Sequence, residues 1–468
     1  MKRRLMLLAL AAVVLSTATY TASIDHIQTY TPEYLGNQAQ NGMINNASVY
    51  YNPAGLTHLQ DGTYIHVGAE LAIGHEKMKY NGKDYKATLL QPIPNFAMYK
   101  VKDNSALYWT FGGIGGGGDL KYKDGVAGTA VIPHLIQGSF GSLFKEINDV
   151  GSSAEGKNLY AQTTLGKVWT VDEKLSVSFG GRLVYGIRNL KGNIDIETKV
   201  NPEIQGMISM VSELKTGLDG FKNIHADIDS ERNAWGYGFQ LGMNYKASEK
   251  LNLAMRYDSR VKLNFKAKGS MNNFKHPGIP HLMDPIDIGF GNFYPEYIPG
   301  TKVRRDLPAV LALGASYKVS DNLTMALSGN YYFNKDAKMD RIAGSGKLGA
   351  NEIKGFEAEY DNGWEIALGA EYRMKKFPQW AVLGSVNYAY TGAKVTSYDD
   401  VEYALNSFTI GTGLKYNPDD TSEWLFTISH FIYDGEKGHY DEKYGGKIPN
   451  VEYDKSITAF GVSYTKRF

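Results

Sequence analysis

The sequence is distinguished first by what it lacks. It has no cysteine in 468 residues, which excludes disulfide bonds and thiol chemistry. Its 50 basic and 49 acidic side chains leave a formal net charge of +1, so no bulk charge indicates a nucleic-acid partner. Beyond the N-terminus no segment approaches the roughly eighteen consecutive apolar residues of a transmembrane helix. We therefore expect neither nucleic-acid binding nor a helical membrane span.

Motifs for catalysis and metal binding are also missing. The ten histidines are scattered, and neither an HExxH nor a GxSxG motif occurs. The acidic pairs Asp399-Asp400, Asp419-Asp420 and Asp227/Asp229 lack the spacing of an EF-hand, so they are better interpreted as solvated loop charge. We predict a protein that is not an enzyme and that needs neither a metal nor a cofactor.

The N-terminus has the three parts of a secretory signal peptide. Basic residues from Lys2 to Arg4 precede an apolar run from Leu5 to Leu15, and small or polar residues follow through Ser23. The apolar run is too short to span a bilayer. We predict a signal peptide over residues 1–22, with cleavage after Ala18 or near Ala22.

Between Leu251 and Lys266, apolar and polar residues alternate with the period of a β-strand. Sixteen residues exceed the usual soluble strand and suit a tilted strand that crosses a bilayer. We expect one face to meet lipid and the other to meet a wet lumen. The expected lipid face holds Leu251, Leu253, Met255, Tyr257, Val261, Leu263 and Phe265, and the expected lumen face holds Asn252, Ala254, Arg256, Asp258, Arg260, Lys262, Asn264 and Lys266.

Strand patterns recur along the chain, and the links between them alternate between very short and long. This alternation, together with 33 tyrosines suited to a membrane–water interface, is typical of an outer-membrane barrel. We predict an all-β fold, a 14-stranded antiparallel transmembrane β-barrel with partly helical extracellular loops; the alternative is a soluble β-sandwich. The predicted strands are 63–73, 93–102, 105–118, 157–170, 175–196, 234–246, 250–268, 308–318, 323–336, 363–374, 380–392, 405–416, 423–434 and 456–468. The predicted long connections are 74–92, 119–156, 197–233, 269–307, 337–362, 393–404 and 435–455.

Residues 24–60 lack the alternating pattern of a barrel strand. Part of this segment resembles a known protein family. The stretch from Ala47 to Leu56, with Asn52, Pro53, Ala54 and Gly55 at its centre, resembles the N-terminal hatch of the FadL-type outer-membrane long-chain fatty-acid transporters. Residues 235–245 and 307–317 resemble barrel strands of that family. The resemblance implies residues 23–61 as a hatch inside the lumen, residues 62–468 as the barrel, and a monomer.

The resemblance also implies a route for cargo. In that family an acyl chain is captured outside, passes to an internal site and leaves sideways through a gap at a kink in the third strand. The third predicted strand holds Gly112, Gly113, Gly115, Gly116 and Gly117, and glycine permits bulges and bends. We predict a lateral gate here; the alternative is a flexible strand end. The GxGxxG match within this run is not followed by a helix, which argues against phosphate binding.

Two long connections are apolar enough to form a groove for hydrocarbon. After Asn201-Pro202-Glu203, a plausible helix start, apolar residues recur at helical spacing, and connection 269–307 is rich in aromatic and aliphatic residues. The alternative is that the two connections pack on each other as a lid, joined by segment 140–147. The groove candidates are Ile204, Met207, Ile208, Val211, Leu282, Met283, Ile286, Phe290 and Phe293.

A fatty acid carries a carboxylate that needs a partner when it leaves water. Arg182, Arg188, Arg256 and Arg260 lie on predicted lumen faces and are the candidates, although lumen carboxylates such as Asp258 are alternative partners for them. Burying a methylene contributes about 0.8 kcal/mol, so a long acyl chain gains roughly 10 kcal/mol before binding costs. Release then needs an equally apolar sink, such as membrane lipid.

The sequence thus predicts an outer-membrane transporter for passive uptake of long-chain fatty acids or similar hydrophobic molecules, with outer-membrane lipid as its partner. The aromatic C-terminal residue Phe468 resembles the signal read by the barrel assembly machinery, a second expected partner. The alternatives are a surface adhesin that binds through its long loops and a general diffusion porin. The sequence leaves open whether the cargo is a fatty acid, an aromatic hydrocarbon or a terpenoid.

Overall fold

The computed structural model describes residues 27–210, 212–279, 284–339, 346–348, 351–355, 358–398, 400, 402–445 and 448–468. The predicted signal peptide and the groove candidates Val211, Leu282 and Met283 lie outside this part. Of the helices in the described ranges, none combines the length and the apolar composition needed to cross a membrane.

Long antiparallel strands pair with their neighbours in the chain, and the first strand pairs with the last. That closing ladder runs from Tyr64 opposite Arg467 to Lys79 opposite Glu452, so the wall is a closed barrel of fourteen strands. The predicted fold class is confirmed, and every predicted strand overlaps a wall strand, although predicted strand 323–336 extends past Tyr332 into a 3₁₀ turn. In chain order the strands are β1 (Gly62–Tyr80), β2 (Lys83–Lys102), β3 (Ser105–Tyr122), β4 (Phe144–Asp149), β5 (Ser153–Thr170), β6 (Leu175–Val200), β7 (Asn223–Lys246), β8 (Leu251–Asp258), β9 (Asn264–Asn272), β10 (Phe274–His276), β11 (Ile286–Ile288), β12 (Lys302–Arg304), β13 (Val310–Ser320), β14 (Leu323–Tyr332), β15 (Gly346–Leu348), β16 (Asn351–Ile353), β17 (Gly363–Arg373), β18 (Trp380–Tyr390), β19 (Ser407–Asp419), β20 (Ser422–Tyr433), β21 (Glu436–Lys437) and β22 (Glu452–Arg467).

Two of the fourteen wall strands are interrupted. The seventh consists of β8 and β9, and the eighth consists of β12 and β13, which pair with β9 and β8 respectively. The short strands β4, β10, β11, β15, β16 and β21 belong to the connections. Within β8 the predicted alternation is confirmed, because Leu253 and Met255 are 40% and 39% exposed on the outer surface while Arg256 is buried on the inner one.

The single strand predicted from Leu251 to Lys266 is wrong beyond Asp258. Asp258 and Ser259 are both buried in succession, and this one-residue shift inverts every later side chain. The Ser259 N–H donates to the Phe239 carbonyl at 2.9 Å, and the Phe239 N–H donates to Ser259 Oγ at 2.8 Å. As a result Val261, Leu263 and Phe265, expected to face lipid, are fully buried, and Arg260, Lys262, Asn264 and Lys266, expected to face the lumen, are exposed.

The long loop predicted over residues 74–92 is also wrong. β1 and β2 continue through it as a hairpin and are joined by a two-residue turn at Asn81-Gly82, where φ is +48° and +78°. Positive φ at both positions is the type I′ turn that Asn-Gly favours. The strands of this hairpin extend past the hydrophobic band, so their outer faces are polar and the lipid-facing pattern that marks a barrel strand is missing.

The helices lie in the connections at the long-loop end and in the N-terminal segment. The helix expected after Asn201 is confirmed, and its first turn is capped because Asn201 Oδ1 accepts a hydrogen bond from the Glu203 N–H at 3.1 Å. Connection 119–156 contains a helix that the sequence did not predict. The described helices are α1 (Pro32–Gly36), α2 (Ser48–Tyr51), α3 (Ala127–Phe140), α4 (Pro202–Met210), α5 (Ser212–Asp219), α6 (Phe290–Phe293) and α7 (Tyr440–Tyr444), with 3₁₀ turns at Pro53–His58, Pro295–Tyr297, Asn334–Asp336 and Val395–Ser397.

The N-terminal residues 27–60, called the inner segment below, lie inside the barrel. Nearly all of them are buried or half-buried, and they bond to inward-facing side chains from opposite parts of the wall. Asn41 Nδ2 donates to Asn330 Oδ1 at 2.9 Å, and Asn252 Nδ2 donates to the Gly42 carbonyl at 2.9 Å. The inner segment therefore crosses the lumen rather than extending the sheet.

Candidate functional site

The wall has a seam between β2 and β3. These strands pair only from Lys102 opposite Ser105 to Asn95 opposite Gly112. Beyond that point β2 remains paired with β1 as far as Lys83, and β3 remains paired with β5 as far as Tyr122. Residues 83–94 of β2 and 113–122 of β3 thus face each other without a ladder, and we call this stretch the seam.

Glycines create the seam by letting β3 bend away from β2. The pairing of β3 with β5 shifts register between Gly113 and Gly115 and again between Gly116 and Gly118. Gly116 has φ of +97°, and a Cβ added there would overlap the carbonyl oxygen of Asn158. The predicted gate glycines Gly112, Gly113, Gly115, Gly116 and Gly117 therefore all lie where the β2–β3 ladder ends.

The inner segment bonds to β3 at the start of the seam. The Gln28 N–H donates to the Ile114 carbonyl at 3.2 Å, and the Tyr30 N–H donates to the Gly113 carbonyl at 3.1 Å. These are backbone hydrogen bonds of the kind that a neighbouring wall strand supplies elsewhere. Movement of the inner segment would consequently free the edge of β3.

The predicted hatch motif fastens the inner segment to wall strands β6 and β7. Asn52 Nδ2 donates to Asn244 Oδ1 at 2.7 Å, and the Ala54 carbonyl accepts a hydrogen bond from Ser176 Oγ. Pro53 begins a 3₁₀ turn, where its missing N–H costs nothing. A Cβ at Gly55 would lie 2.8 Å from Asn52 Nδ2, so glycine keeps this amide in place.

Arg256 joins the wall to the inner segment. Its Nη1 donates to the carbonyls of Tyr50 and Tyr51 at 2.8 and 2.9 Å, and its Nε lies 3.2 Å from Asp258 Oδ2. Arg182, also buried, uses its guanidinium to bond Gln162 Oε1, at 2.9 and 2.7 Å. Both candidates face the lumen as predicted, and both are engaged with protein groups.

Arg188 belongs to a buried ion cluster near the long-loop end. It pairs with Glu402, which also accepts from Arg305 Nη2 at 2.8 Å. Arg232 lies 3.2 Å from Glu296, which is 4.0 Å from Arg188. Because Glu296 and Glu402 come from connections, the cluster ties two loops to the wall.

Sequence reasoning missed Arg232, Arg305, Glu296 and Glu402, because strand alternation says nothing about where a loop carboxylate folds. Arg260, the fourth candidate, lies in the break after β8 and not on a strand face. Its side chain is 39% exposed and 3.6 Å from Asp306.

The long connections pack together into one apolar core at the long-loop end. Ile208, Ile286, Phe290 and Phe293 are buried in it and Ile204 packs against it, whereas the structure does not describe the side chain of Met207. This packing is the lid that the sequence left open as an alternative to a groove. Segment 140–147 does join the two connections, with the ring of Phe144 centred 5.9 Å from that of Phe221.

A carboxylate links three of these connections. The hydroxyls of Tyr294 and Tyr440 both donate to Asp400. Burial, together with the nearby Asp400 carboxylate, raises the pKa of both hydroxyls well above the usual value, so they stay protonated and able to donate. The lid is therefore held by charge-assisted hydrogen bonds as well as by apolar contact.

Apolar side chains also gather inside the lumen, beside the start of the seam. We call this set the lumen cluster. It arises from the strand break described above, which turns three aliphatic and aromatic residues inward. Its buried members are Ile114, Tyr160, Val184, Ala234, Val261, Leu263, Phe265 and Leu307, with Ile27 of the inner segment packed against them.

Comparison with known proteins gives matches over nearly the whole chain. A family model described as "outer membrane protein transport protein (OMPP1/FadL/TodX)" matches residues 14–468. A 47 kDa outer membrane protein of Pasteurella multocida is 29% identical over 138 residues, which is 30% of each chain. Outer membrane protein P1 of Haemophilus influenzae is 20% identical over 301 residues, 63% of this chain and 59% of that one. The matched regions span less than two thirds of either relative.

Solved structures match in fold. The toluene transporter TodX of Pseudomonas putida superposes with a TM-score of 0.63 at 16% identity, covering 94% of this chain and 99% of that one. A Pseudomonas aeruginosa FadL homologue gives 0.62 at 14% identity, covering 95% and 100%. The toluene transporter TbuX of Ralstonia pickettii gives 0.57 at 18% identity, covering 94% and 99%. At these identities the likeness supports the barrel architecture.

Proposed function

The chain belongs to the outer membrane transport protein family OMPP1/FadL/TodX, and from that premise we propose that it takes up hydrophobic molecules passively and releases them sideways into the membrane. Two solved relatives are named as transporters of toluene and another as a FadL homologue. Aromatic hydrocarbons and long-chain fatty acids are thus both within the proposed cargo class. The observation that carries the proposal is the seam, whose β3 edge is bonded to a movable inner segment.

The proposed route begins at the lid and ends at the seam. In an outer-membrane barrel the long connections face outward and the short turns face the periplasm, so cargo meets the apolar lid first. Inside, the buried apolar side chains of the lumen cluster lie beside the start of the seam at Ile114. Burial of apolar area contributes about 25 cal/mol per Å², which holds hydrocarbon in the lumen until lipid, equally apolar, receives it through the seam.

The inner segment serves as the hatch on this route. Its hydrogen bonds through Asn52 and Arg256 hold it across the lumen, and its bonds through Gln28 and Tyr30 hold it against β3. A displacement at one end opens the seam without breaking the barrel ladder. No energy source is required, because the membrane is a sink for the cargo.

Among the four arginines, Arg260 is the one best placed to receive a fatty-acid carboxylate. Arg182, Arg188 and Arg256 are buried and bonded to the protein, so binding a ligand carboxylate would leave their present partners unsatisfied, which is costly. Arg260 is half-exposed, and a ligand carboxylate would displace only its 3.6 Å pairing with Asp306 and its hydrogen bond to the Asp336 carbonyl. We expect Arg260→Ala to weaken oleate uptake more than toluene uptake.

A disulfide across the seam tests the route. The chain has no cysteine, so an introduced pair is the only one. A Cβ at Gly113 would lie 3.1 Å from Ile93 Cγ2, which places the two Cβ atoms within reach of the ~3.5–4.5 Å separation that a disulfide needs. Gly113 is also free of positive φ. The variant is Ile93→Cys with Gly113→Cys.

The matched control joins the same strands where they are already paired. Lys100 lies opposite Leu107 in the β2–β3 ladder, and both side chains are exposed on the outer surface. Lys100→Cys with Leu107→Cys therefore adds a crosslink without closing the seam. Uptake of radiolabelled oleate and toluene is measured in cells that lack their own transporter of this family, before and after reduction.

We expect the seam pair, when oxidised, to reduce uptake by at least about tenfold and to recover on reduction, whereas the control pair keeps wild-type uptake. An oxidised seam pair that transports at the wild-type rate would contradict lateral release. Wild-type protein that accelerates uptake of neither probe would contradict the transport function itself.

A further inference from the structure

A second feature behind the seam is a cavity of about 70 Å³. The inner segment forms one side through Tyr30 and Leu35, and apolar wall residues such as Leu89 and Phe431 form the other. The lining includes Ile93 of β2 and Gly116 of β3, which belong to the two edges of the seam. The cavity therefore lies where cargo on the proposed route would pass from lumen to lipid.

Glu70 of β1 lines this mostly apolar cavity. It lies on the inward face between the outward-facing Ala69 and Leu71, and it is only 2% exposed. Neither of its carboxyl oxygens has a hydrogen-bond partner among the described residues. A buried carboxyl without a partner is costly, and such groups concentrate at sites with a function.

The polar groups of the described residues around Glu70 provide further hydrogen-bond acceptors but no cation that is available to pair with it. Gln91 also lines the cavity, and its Oε1 lacks a partner among the described residues. Glu76 lines it as well and pairs with Lys455, Oε1 to Nζ at 3.1 Å. The described lining residues include no lysine, arginine or histidine. Both carboxyl oxygens of Glu70 and the Oε1 of Gln91 are thus acceptors that receive no hydrogen bond from the described residues.

We propose that this cavity receives the polar end of a cargo molecule that donates a hydrogen bond, a hydroxyl or an ammonium group on a hydrocarbon body. The inference rests on the transport function proposed above and specifies the cargo of that same route. A hydroxyl gives Glu70 and Gln91 the donor they lack. A cargo carboxylate would instead find no cation among the described lining residues, and burying an unpaired charge is costly.

The size of the cavity fits a polar end and excludes a whole chain. A single water needs roughly 10–15 Å³, so about 70 Å³ accommodates a polar group with the first carbons attached to it. The remaining hydrocarbon extends along the seam, between Ile93 and Gly116. In this arrangement Glu70 orients the cargo with its apolar part toward lipid.

The test compares three probes of similar shape that differ in the polar end: 4-ethylphenol, which donates, ethylbenzene, which has no polar group, and 4-ethylbenzoate, which is anionic. Affinities are measured calorimetrically at pH 7 with the full-length protein in lipid nanodiscs, and empty nanodiscs correct for partitioning. The variants are Glu70→Leu and Glu70→Gln. The matched control is Glu436→Gln, which removes an exposed glutamate of a loop.

Because the buried oxygens of Glu70 gain a hydrogen-bond donor, we expect wild-type protein to bind 4-ethylphenol at least about tenfold more tightly than ethylbenzene or 4-ethylbenzoate. Glu70→Leu should abolish this preference while ethylbenzene affinity is retained, Glu70→Gln should retain part of it, and Glu436→Gln should leave it unchanged. Heat-modifiable gel mobility checks that each variant is folded.

The inference is overturned if wild-type protein binds 4-ethylbenzoate as tightly as 4-ethylphenol, a comparison that needs no variant. It is also overturned if the preference survives in Glu70→Leu. Binding of ethylbenzene without a preference for the phenol refutes the assigned polar end and leaves the transport function standing. Binding of none of the three probes refutes both.

Discussion

Replacing Arg256 by methionine should release the inner segment from the wall. The side chain donates to the carbonyls of Tyr50 and Tyr51 at 2.8 and 2.9 Å, and hydrogen bonds from a charged donor contribute about 1.5–3 kcal/mol each. Loss of both removes about 3–6 kcal/mol of attachment. Since 1.4 kcal/mol corresponds to a factor of ten, the displaced state should become at least about 100-fold more populated.

The measurement is the frequency of channel openings for purified protein in planar lipid bilayers. Wild-type protein should show little steady current, because the inner segment occupies the lumen, and Arg256→Met should open at least about 100-fold more often. Arg256→Lys keeps a positive charge beside Asp258 but lacks the guanidinium group that bonds both carbonyls. We therefore expect a smaller increase in opening frequency than for Arg256→Met.

Arg260→Met serves as the control, because Arg260 bonds to Asp306 and to the Asp336 carbonyl and not to the inner segment. If Arg256→Met opens no more often than Arg260→Met while both are folded, the inner segment is not held by these hydrogen bonds and the reasoning fails.

Three further predictions follow from the seam, the lid and the C-terminus. Gly116→Val should lower the yield of folded barrel severalfold, as measured by heat-modifiable gel mobility, because a side chain at positive φ overlaps the Asn158 carbonyl; wild-type yield would contradict the need for the bulge. Asp400→Asn should speed proteolysis of the long connections about five- to tenfold on intact cells, since charged acceptors form hydrogen bonds about twice as strong as neutral ones; an unchanged rate would show that apolar contact alone holds the lid. Phe468→Ser should reduce the amount of protein assembled in the outer membrane, measured on membrane fractions, while refolding of purified protein in detergent is unaffected; normal assembly would remove Phe468 as a targeting signal.

Strand alternation made the barrel predictable from the sequence. Within the membrane each wall strand must place apolar residues outside and polar residues inside, so the pattern survives in strands such as β8 and β20 whatever their neighbours are. The pattern fails where that constraint ends. Beyond the membrane the β1–β2 hairpin needs no lipid-facing residues, and only its Asn81-Gly82 turn indicated it.

The candidate site was predictable where it depends on local sequence features, and not where it depends on contacts between distant segments. The glycines of β3 and the hatch motif are local sequence features, and both lie at the seam or in the inner segment. The ion cluster joins Arg188 to Glu402 and Arg232 to Glu296, pairs far apart in the chain, and their meeting depends on how the connections fold. Glu70 lies in an ordinary strand pattern, and its isolation depends on where the inner segment packs.

The lumen cluster has a consequence for what the passage keeps out. Val261, Leu263 and Phe265 are fully buried in this cluster, and apolar constrictions that exclude water block hydrated ions. A salt ion or a polar antibiotic would have to lose its hydration shell to pass the lumen cluster. A hydrocarbon does not bear this dehydration cost. On the proposed route, the break after β8 would therefore let hydrophobic molecules cross the outer membrane while charged solutes are kept out.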